Sequence, residues 1–249
     1  MGTGPGCKGK INALFASGLV RCLACNLVVQ NPRLSSGGLA KIYKDIYRID
    51  SNREIREQLF SRGKRRGSYI IKFLEENKFE FRGLNACEVG CGFGGILARF
   101  MEEGCSTIGC DPNPIVVEFG ITKGLEIRFG SIECLSGKTS ADILILSHVL
   151  EHIEDPIKFL QNAKDLLVDD GLIYIEVPGV DNPRVKGDNY SVQPTHLYYF
   201  SRDTLRNVCE RSGFNVLRVN DYPTSYRQTT RRPKKKIKKH PRLRLKVFS

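Results

Sequence analysis

"NACEVGCGFGGILARF", residues 85–100, joins a short apolar run to an amphipathic run through glycines at 90, 92, 94 and 95. The first run predicts a β-strand and the second predicts a helix. Because glycine is entropically costly in regular structure, the cluster indicates a turn that something approaches closely. In an open α/β sheet, ligands bind beyond the carboxyl ends of the strands, where such a turn lies. The stretch therefore predicts an α/β fold with a ligand site at this turn.

The rest of the chain continues the alternation of strands and helices. Apolar strand patterns follow at 106–111, 125–130, 141–149, 172–179 and 215–222. Between them, "DPIKFLQNAKDLLVDDG" predicts a helix that starts near Asp155 and is ended by Gly171, and Ser201 is the predicted N-cap of a later helix. The alternation predicts a doubly wound, Rossmann-like, mostly parallel sheet with helices on both faces, preceded by a small cysteine-bearing region.

Composition divides the chain into three predicted parts. Residues 1–82 form a cysteine-bearing segment and a helical lid, residues 83–226 form the ligand-binding α/β domain, and residues 227–249 form a basic tail. The net charge is +12, but 11 Lys and Arg lie between Arg227 and Lys246, so the body alone carries +1. The basicity of the tail is therefore weak support for a nucleic-acid function of the whole protein.

The end of the tail is open to two interpretations. Leu243, Leu245 and Val247 alternate with basic residues, which is the pattern of a half-buried strand. The segment is either an antiparallel edge strand reached through a basic loop or a disordered tail.

The cysteines and the N-terminal run bear on localisation. Nine cysteines are scattered over 249 residues, which is typical of a reducing compartment and not of a disulfide scaffold. "KGKINALFASGLVRCLAC" is similar to a signal peptide, but its apolar run is short and Arg21 closes it. No stretch is long enough to cross a bilayer. We therefore expect a soluble cytoplasmic protein with no membrane partner.

Two classes of cofactor use a glycine turn of this kind. Gly90, Gly92 and Gly95 fit the dinucleotide pattern G-x-G-x-x-G, and Asp111 follows at about the expected distance of ~20 residues. Glu88, however, places a carboxylate just before the turn, where it would repel a pyrophosphate. It would attract a cofactor with a cationic amino-acid end, and this favours the second class.

Motifs along the chain identify that second class by resemblance. "EVGCGFG" followed by "GCDPN" resembles the first two signatures of class I S-adenosylmethionine-dependent methyltransferases. "ADILILSHVLEHIEDPIKFLQNAKDLLVDDGLIYIEVPG" resembles their fourth strand, next helix and fifth strand. "HLYYFSRDTLRNVCERSGFNVLRV" is similar to the C-terminal helix and sixth strand of a small-molecule and sugar subgroup. The resemblance covers residues 85–220 and implies S-adenosylmethionine as the cofactor.

The resemblance also assigns roles to individual residues. It places Glu88 at the amino group of the cofactor, directly or through a water, and Asp111 at both ribose hydroxyls, although Asp111 could also be a helix N-cap. Where family members often carry an acid that contacts the adenine amine, this chain has Ser131 and Ile132. The remaining expected cofactor contacts are Gly90, Cys91, Gly92, Gly94, Pro112 and Asn113 around the turn and adenine, Ser147 beside the methyl group, and Tyr43 and Tyr47 from the lid.

Methyl transfer needs acceptor, methyl and sulfur in line, and it needs a base only if the acceptor must lose a proton. His148 and His196 are the candidate catalytic residues. His196 matches a histidine that related sugar enzymes place at the acceptor, and each of the two could instead be structural. His152 is expected to be a surface or capping residue.

The N-terminal cysteines resemble the zinc-binding region that precedes many of these enzymes. That region has two C-x-x-C knuckles, which together bind zinc tetrahedrally. Here Cys22 and Cys25 form one knuckle, but Lys10 stands where the partner of Cys7 would be. We therefore expect a degenerate segment without metal, although three thiolates could still bind zinc weakly.

The sequence thus predicts an S-adenosylmethionine-dependent methyltransferase that acts on a small-molecule acceptor such as a sugar or hydroxylated metabolite. One alternative is an RNA methyltransferase that grips phosphates with the basic tail. Another is a non-catalytic cofactor-binding or scaffold protein. In the small-molecule case the tail is expected to be dispensable, with only weak, salt-sensitive attachment to nucleic acid.

Overall fold

The computed structural model describes residues 11–13, 18–35, 37–39, 42, 52–137, 140–179, 193, 195–223 and 241–248. The helices are α1 (Arg53–Glu76), α2 (Gly95–Glu102), α3 (Pro114–Thr122), α4 (Pro156–Lys164) and α5 (Arg202–Arg211). The strands are β1 (Ile11–Ala13), β2 (Leu19–Cys22), β3 (Val28–Gln30), β4 (Asn85–Val89), β5 (Ser106–Asp111), β6 (Glu126–Phe129), β7 (Ala141–Ser147), β8 (Leu167–Val177), β9 (Tyr198–Tyr199), β10 (Asn215–Pro223) and β11 (Pro241–Phe248).

The main sheet has seven strands in the order β10-β11-β8-β7-β4-β5-β6. Strands β6, β5, β4, β7 and β8 run parallel to one another, whereas β11 is antiparallel to both of its neighbours. The predicted α/β fold with a mostly parallel sheet is confirmed. The strand order reverses at β4, which lies between β5 and β7, so the ligand crevice is expected at the carboxyl ends of these three strands.

The middle of the sheet is formed by strands that are buried on both faces. Ile143, Leu144, Ile145 and Leu146 of β7 are fully buried, as a continuous apolar run in a parallel sheet requires. The flanking helices begin where the sequence predicts. Asp155 caps α4 by accepting the amide of Lys158, and Ser201 caps α5 within a capping box.

Helix α4 is shorter than predicted. It ends at Lys164, and β8 already begins at Leu167, so the predicted continuation of the helix to Asp170 is wrong. The backbone of Leu167 pairs with Ala141 at the start of β7. This strand pairing prevails over the helical pattern of "DLLVDD" because tertiary context overrides weak helix propensity.

The strand at the end of the tail lies inside the sheet and not at its edge. Strand β11 pairs with β8 from Leu243↔Val177 to Phe248↔Leu172, and with β10 along its other side. The prediction of an edge strand is therefore wrong in position, and the alternative of a disordered tail does not hold for residues 241–248. Residues 227–240 lie outside the described residues.

A second sheet joins the N-terminal segment to the α/β domain. Its order is β1-β2-β3-β9, and all its pairs are antiparallel. Strand β9 follows His196 in the chain and pairs with β3 through Val28↔Tyr199 and Val29↔Tyr198. The N-terminal strands are thereby held beside the segment that carries His196. Among the described helices, none combines the length and the apolar character needed to cross a bilayer.

Candidate active site

The glycine turn after β4 is shaped by three residues with left-handed backbone conformations. Gly90, Gly92 and Gly94 have φ values of +67°, +53° and +76°. A Cβ on Gly94 would lie 2.4 Å from Cδ1 of Leu125, so both its left-handed backbone and its tight packing favour glycine there. A Cβ on Gly92 would meet no heavy atom within 4 Å. Gly92 therefore borders open space that a ligand can enter.

Asp111 at the end of β5 is fixed to this turn. Its Oδ2 accepts the amide of Gly92 at 2.9 Å, and its Oδ1 accepts the amide of Asn113 at 2.9 Å. Burial raises the pKa of Asp111, although these two hydrogen bonds oppose the rise. The N-cap of α3 is Asn113, which accepts the amide of Ile115, so Asp111 is not the cap. Each oxygen of Asp111 keeps a further lone pair that fits a ribose hydroxyl.

Glu88 supplies a buried carboxylate beneath the turn. It is 1% exposed, and its Oε2 has no hydrogen-bond partner. Burial raises the pKa of Glu88 well above its ordinary value, while the charge of Arg66 and a hydrogen bond from the backbone of Leu97 lower it. A buried carboxylate oxygen without a partner is costly, and a cationic group of a ligand would satisfy it. This fits the amino-acid end of S-adenosylmethionine.

An arginine and a second buried glutamate lie beside the methyl-group position predicted at Ser147. Arg66 of α1 donates from Nη1 to Oγ of Ser147 at 3.3 Å, and its Nε lies 4.0 Å from Oε2 of Glu176. Oγ of Ser147 in turn donates to Oε2 of Glu176 at 3.3 Å. Neither Arg66 nor Glu176 was predicted from the sequence. The single acid inside the apolar run "LIYIEV" was the signal that could have revealed Glu176.

A histidine cluster occupies the carboxyl end of β7. Nδ1 of His148 lies 3.1 Å from Oε1 of Glu151, and Nε2 of His152 lies 3.8 Å from the same oxygen. Nδ1 of His152 donates to the carbonyl of Thr195 at 2.8 Å, because a carbonyl only accepts. The rings of His152 and His196 are 4.7 Å apart and edge to face. The structure thus brings both predicted catalytic histidines into one cluster, organised by Glu151.

The electrostatics of the cluster follow from burial and charge. Burial raises the pKa of Glu151, but the hydrogen bond from His148 and the charges of His148 and His152 outweigh it, so the pKa lies below its ordinary value. Burial lowers the pKa of His196 to about 4, so its imidazole is neutral at pH 7. His148 also has a φ of +59°, a conformation that is uncommon outside glycine and that concentrates at functional sites.

The role of Glu151 was not predicted from the sequence, and that of His152 was misjudged. Glu151 is fully buried, although glutamate is almost never buried without a partner. His152 is half-buried and bonded to Thr195, so its assignment as a surface or capping residue is wrong. The spacing of "HVLEH" places three titratable groups within five residues, and this was the signal that the sequence offered.

The remaining predicted cofactor contacts differ in their exposure, and two of them lie outside the described residues. The side chain of Ile132 is 2% exposed and packs in the core, so a ligand contact there would have to come from its backbone. Ser131 and Pro112 are exposed after β6 and β5, and Cys91 is buried in the turn, where burial raises the pKa of its thiol. Tyr43 and Tyr47 lie outside the described residues.

The cysteine knuckle of the N-terminal segment is a tight turn between β2 and β3. Cys22 is buried at the end of β2, and its amide donates to the carbonyl of Leu27. Cys25 lies half-buried within the turn. Cys7 and Lys10 lie outside the described residues, so the prediction of a metal-free segment stays a prediction.

Comparison with known proteins identifies the family. Residues 52–219 match a protein family described as a methyltransferase domain, which is more than half of the chain. The chain belongs to this methyltransferase family. Its cofactor is S-adenosylmethionine, and the turn, Asp111 and Glu88 are the residues that would hold it. The prediction of an S-adenosylmethionine-dependent methyltransferase is confirmed.

Relatives and solved structures agree with this family. A tRNA U34 carboxymethyltransferase from Alteromonas mediterranea is 28% identical over 157 residues, which cover 56% of this chain and 47% of that protein. The chain thus spans about half the length of the curated relatives it matches.

Among solved structures, the fold is similar to that of a Burkholderia thailandensis 1,6-didemethyltoxoflavin-N1-methyltransferase with bound S-adenosylhomocysteine. The TM-score is 0.62 at 16% identity, covering 96% of this chain and 99% of that one. For an Archaeoglobus fulgidus methyltransferase, the TM-score is 0.57 at 19% identity. The match covers 74% of this chain and 94% of that one. These likenesses establish the fold of the methyltransferase.

Proposed function

We propose that this methyltransferase transfers the methyl group of S-adenosylmethionine to a hydroxyl oxygen of a small molecule, with His148 as the base. The observation that carries the proposal is the pair formed by His148 and the buried Glu151 at the carboxyl end of β7, with 3.1 Å between Nδ1 and Oε1. A base that is oriented by a buried carboxylate is the arrangement that activates an oxygen nucleophile.

Different residues of the chain bind the cofactor and remove the proton in this proposed reaction. When bound, S-adenosylmethionine supplies an electrophilic methyl group on a positively charged sulfur. Asp111 would accept hydrogen bonds from the ribose hydroxyls, and Glu88 would pair with the amino group. Because an uncharged hydroxyl is a weak nucleophile, Nε2 of His148 takes its proton as the oxygen attacks. Glu151 holds Nδ1–H of His148 and stabilises the imidazolium that forms.

The acceptor is proposed to lie on the side of His148 that faces His196. His196 lies two residues before β9, which pairs with β3 of the N-terminal sheet, so this sheet would form one wall of the acceptor cleft. A neutral imidazole there binds hydroxyl groups without attracting phosphate. This chemistry supports a sugar or another polyhydroxylated metabolite over a polyanion.

The test is methyl transfer from isotopically labelled S-adenosylmethionine to a panel of sugars, nucleotide sugars and phenols, with bulk tRNA as a separate arm. We expect label on at least one hydroxylated small molecule, with loss of transfer in His148→Gln while S-adenosylhomocysteine still binds. Label that appears in tRNA alone would overturn the proposal.

A second candidate function is methylation of RNA. It is favoured by curated relatives named tRNA U34 carboxymethyltransferase from Alteromonas, Campylobacter and Pseudoalteromonas. It is also favoured by the 8 Lys and Arg between 227 and 240. Such a run neutralises phosphates whatever the sequence of the RNA, so binding should weaken steeply with salt.

A variant with all basic residues of 227–240 changed to Gln distinguishes methylation of a small molecule from methylation of RNA. Truncation before this run is unsuitable because it would also remove β11 from the sheet. For a small acceptor, we expect the Gln variant to keep cofactor affinity and transfer. Loss of transfer with intact cofactor binding, together with a steep salt dependence of the native chain, would favour RNA.

A further inference from the structure

We propose that Glu151, His152 and His196 form a binding site for one divalent cation of the zinc type. Each residue offers one ligand atom, and these atoms all lie within 4.8 Å of one another. The three residues come from two segments that are far apart in sequence, 151–152 and 196. The fold therefore brings together two imidazoles and a carboxylate, which is a ligand set that zinc uses in catalytic sites.

The orientation of His152 matches that of a metal ligand. Its Nδ1–H donates to the carbonyl of Thr195 at 2.8 Å, which places the lone pair of the neutral ring on Nε2. That Nε2 lies 3.8 Å from Oε1 of Glu151. Metal-binding histidines almost always donate their second ring nitrogen to a carbonyl or carboxylate, because this fixes the ring and its tautomer.

The distances suit a small ion. Bonds of about 2.0–2.1 Å in a tetrahedral arrangement separate two ligand atoms by roughly 3.3 Å. The 3.8 Å between Nε2 of His152 and the Glu151 carboxylate, measured to Oε1, is close to this spacing, so a small adjustment of side-chain torsions would bring Nε2 and one oxygen of that carboxylate onto one ion.

Glu151 provides an independent observation that points to a ligand. The residue is fully buried, and its Oε2 has no hydrogen-bond partner. Leaving a buried carboxylate oxygen without a partner is costly. A cation bound by this carboxylate would remove the cost, while Oε1 keeps its contact with Nδ1 of His148. His148 would then orient the ligand from outside the ion, as partners of metal-binding carboxylates do.

The ligand types select among ions. Two imidazoles and one carboxylate suit Zn²⁺ and Co²⁺, whereas Mg²⁺ and Ca²⁺ prefer a shell of oxygens. Three protein ligands leave a position open on a tetrahedral ion. If the proposed function holds, the acceptor oxygen would take this position, and the ion would lower the pKa of its hydroxyl. Binding of the ion itself does not depend on that function.

The experiment uses Co²⁺ as a coloured probe on the full chain after treatment with a chelator, without cofactor or acceptor. We expect one equivalent of Co²⁺ to give visible absorption bands without the intense thiolate band, and Zn²⁺ to displace it. Glu151→Gln, His152→Asn and His196→Ala should each weaken Co²⁺ binding at least tenfold. Asn at 152 keeps a donor for the carbonyl of Thr195, which guards against a merely structural effect.

Two controls locate the ion. Glu154→Gln changes an exposed acid in the same loop and should leave binding unchanged, as should Cys22→Ser combined with Cys25→Ser. Melting temperatures identify a variant that fails to fold. If Glu151→Gln fails to fold because the residue is buried, Co²⁺ binding by the variant of the half-buried His196, His196→Ala, tests the site.

Several results would overturn the proposal: no visible Co²⁺ bands, full binding in His196→Ala, or loss of binding in the cysteine variant alone. These outcomes are distinct from failure of the proposed function. The titration contains no acceptor, and the labelled-methyl assay reports transfer with or without the ion.

Discussion

The two halves of the crevice are built by different means. On the cofactor side, at the ends of β4 and β5, the shape comes from the backbone of the glycine turn and from Asp111, which holds that backbone by two hydrogen bonds. On the proposed acceptor side, at the ends of β7 and β8, the shape comes from side chains. There Arg66 and Glu176 contact Ser147, and Glu151, His152 and His196 come together from two separate segments.

This difference predicts which side of the site is easier to change by substitution. A site made of backbone amides and the carboxylates of Asp111 and Glu88 depends on the conformation of the turn itself. A site made of side chains on distant elements can change its substrate one residue at a time, because each side chain is replaced independently of the fold. If the two sides are separate, substitutions on one should change affinity for the cofactor and substitutions on the other should change the rate of transfer.

The largest effect is expected from His148→Gln on the acceptor side. Loss of the base should lower kcat by about 10²–10⁴-fold. The dissociation constant for S-adenosylhomocysteine should not change, because the glycine turn and Asp111 are untouched. Single-turnover transfer to the acceptor found in the panel measures the first quantity, and calorimetry measures the second. An equal loss of both would mean that the two sides are not separate.

Asp111→Ala is the converse test on the cofactor side. Each charge-assisted hydrogen bond to a ribose hydroxyl contributes roughly 1.5–3 kcal/mol. We therefore expect the affinity for S-adenosylhomocysteine to fall at least tenfold. Asp142→Ala is the matched control, because Asp142 also accepts a backbone amide, that of Asn85 at 2.8 Å, but at the amino ends of the strands. Equal affinity in the two variants would refute the role of Asp111.

Gly92→Ala tests the open space beside the turn against a glycine elsewhere. Gly104 also has a positive φ, +87°, and its Cβ would likewise meet nothing within 4 Å. Alanine should lower the free energy of unfolding at both positions by about 1–2 kcal/mol, since a left-handed conformation strains it. Only Gly92→Ala should weaken cofactor binding, by several-fold. The same affinity in both variants would place the cofactor away from Gly92.

The smallest effect is expected on stability, from Glu88→Gln. Burial holds the pKa of Glu88 above the ordinary value of 4.5. A buried acid whose pKa is raised stabilises the fold below its unfolded pKa, and this contribution is lost as the pH rises through the folded value. Glu88→Gln should therefore match the native Tm near pH 4 and exceed it slightly at pH 7, while binding the cofactor less tightly.

The control for Glu88 is Glu118→Gln, an exposed acid on α3 whose replacement should leave the dependence of Tm on pH unchanged. If Glu88→Gln lowered the Tm at pH 7, the surroundings of Glu88 would stabilise its ionised carboxylate, and its pKa would not be raised. Thermal melting of both variants in the same buffers across this pH range decides the matter.

The contrast between the two sides also limits what the sequence predicts. The glycine turn, Asp111 and Glu88 were identified because their signals lie within a few residues of one another or at fixed spacing after a strand. The caps at Asp155 and Ser201 are equally local. Consecutive residues determine where a strand ends and which turn follows it.

Tertiary contacts account for what was missed. Arg66 precedes Ser147 by 81 residues, and its neighbours in "SRGKRRGS" are typical of a charged helix surface. The carbonyl that holds His152 belongs to Thr195, 43 residues away. The early start of β8 depends on its pairing with β7. Periodicity cannot reveal contacts that depend on how elements pack.

Strand β11 has a consequence for how the protein is made. It fills the place between β8 and β10, although both of these precede it in the chain. During synthesis, β8 therefore emerges with one backbone edge unpaired, and this edge can pair only after residues 241–248 have been synthesised. At roughly 5–20 residues per second, the ribosome takes several seconds to deliver them. Throughout that interval the nascent chain exposes an apolar strand edge, the kind of surface on which chains aggregate and which chaperones protect.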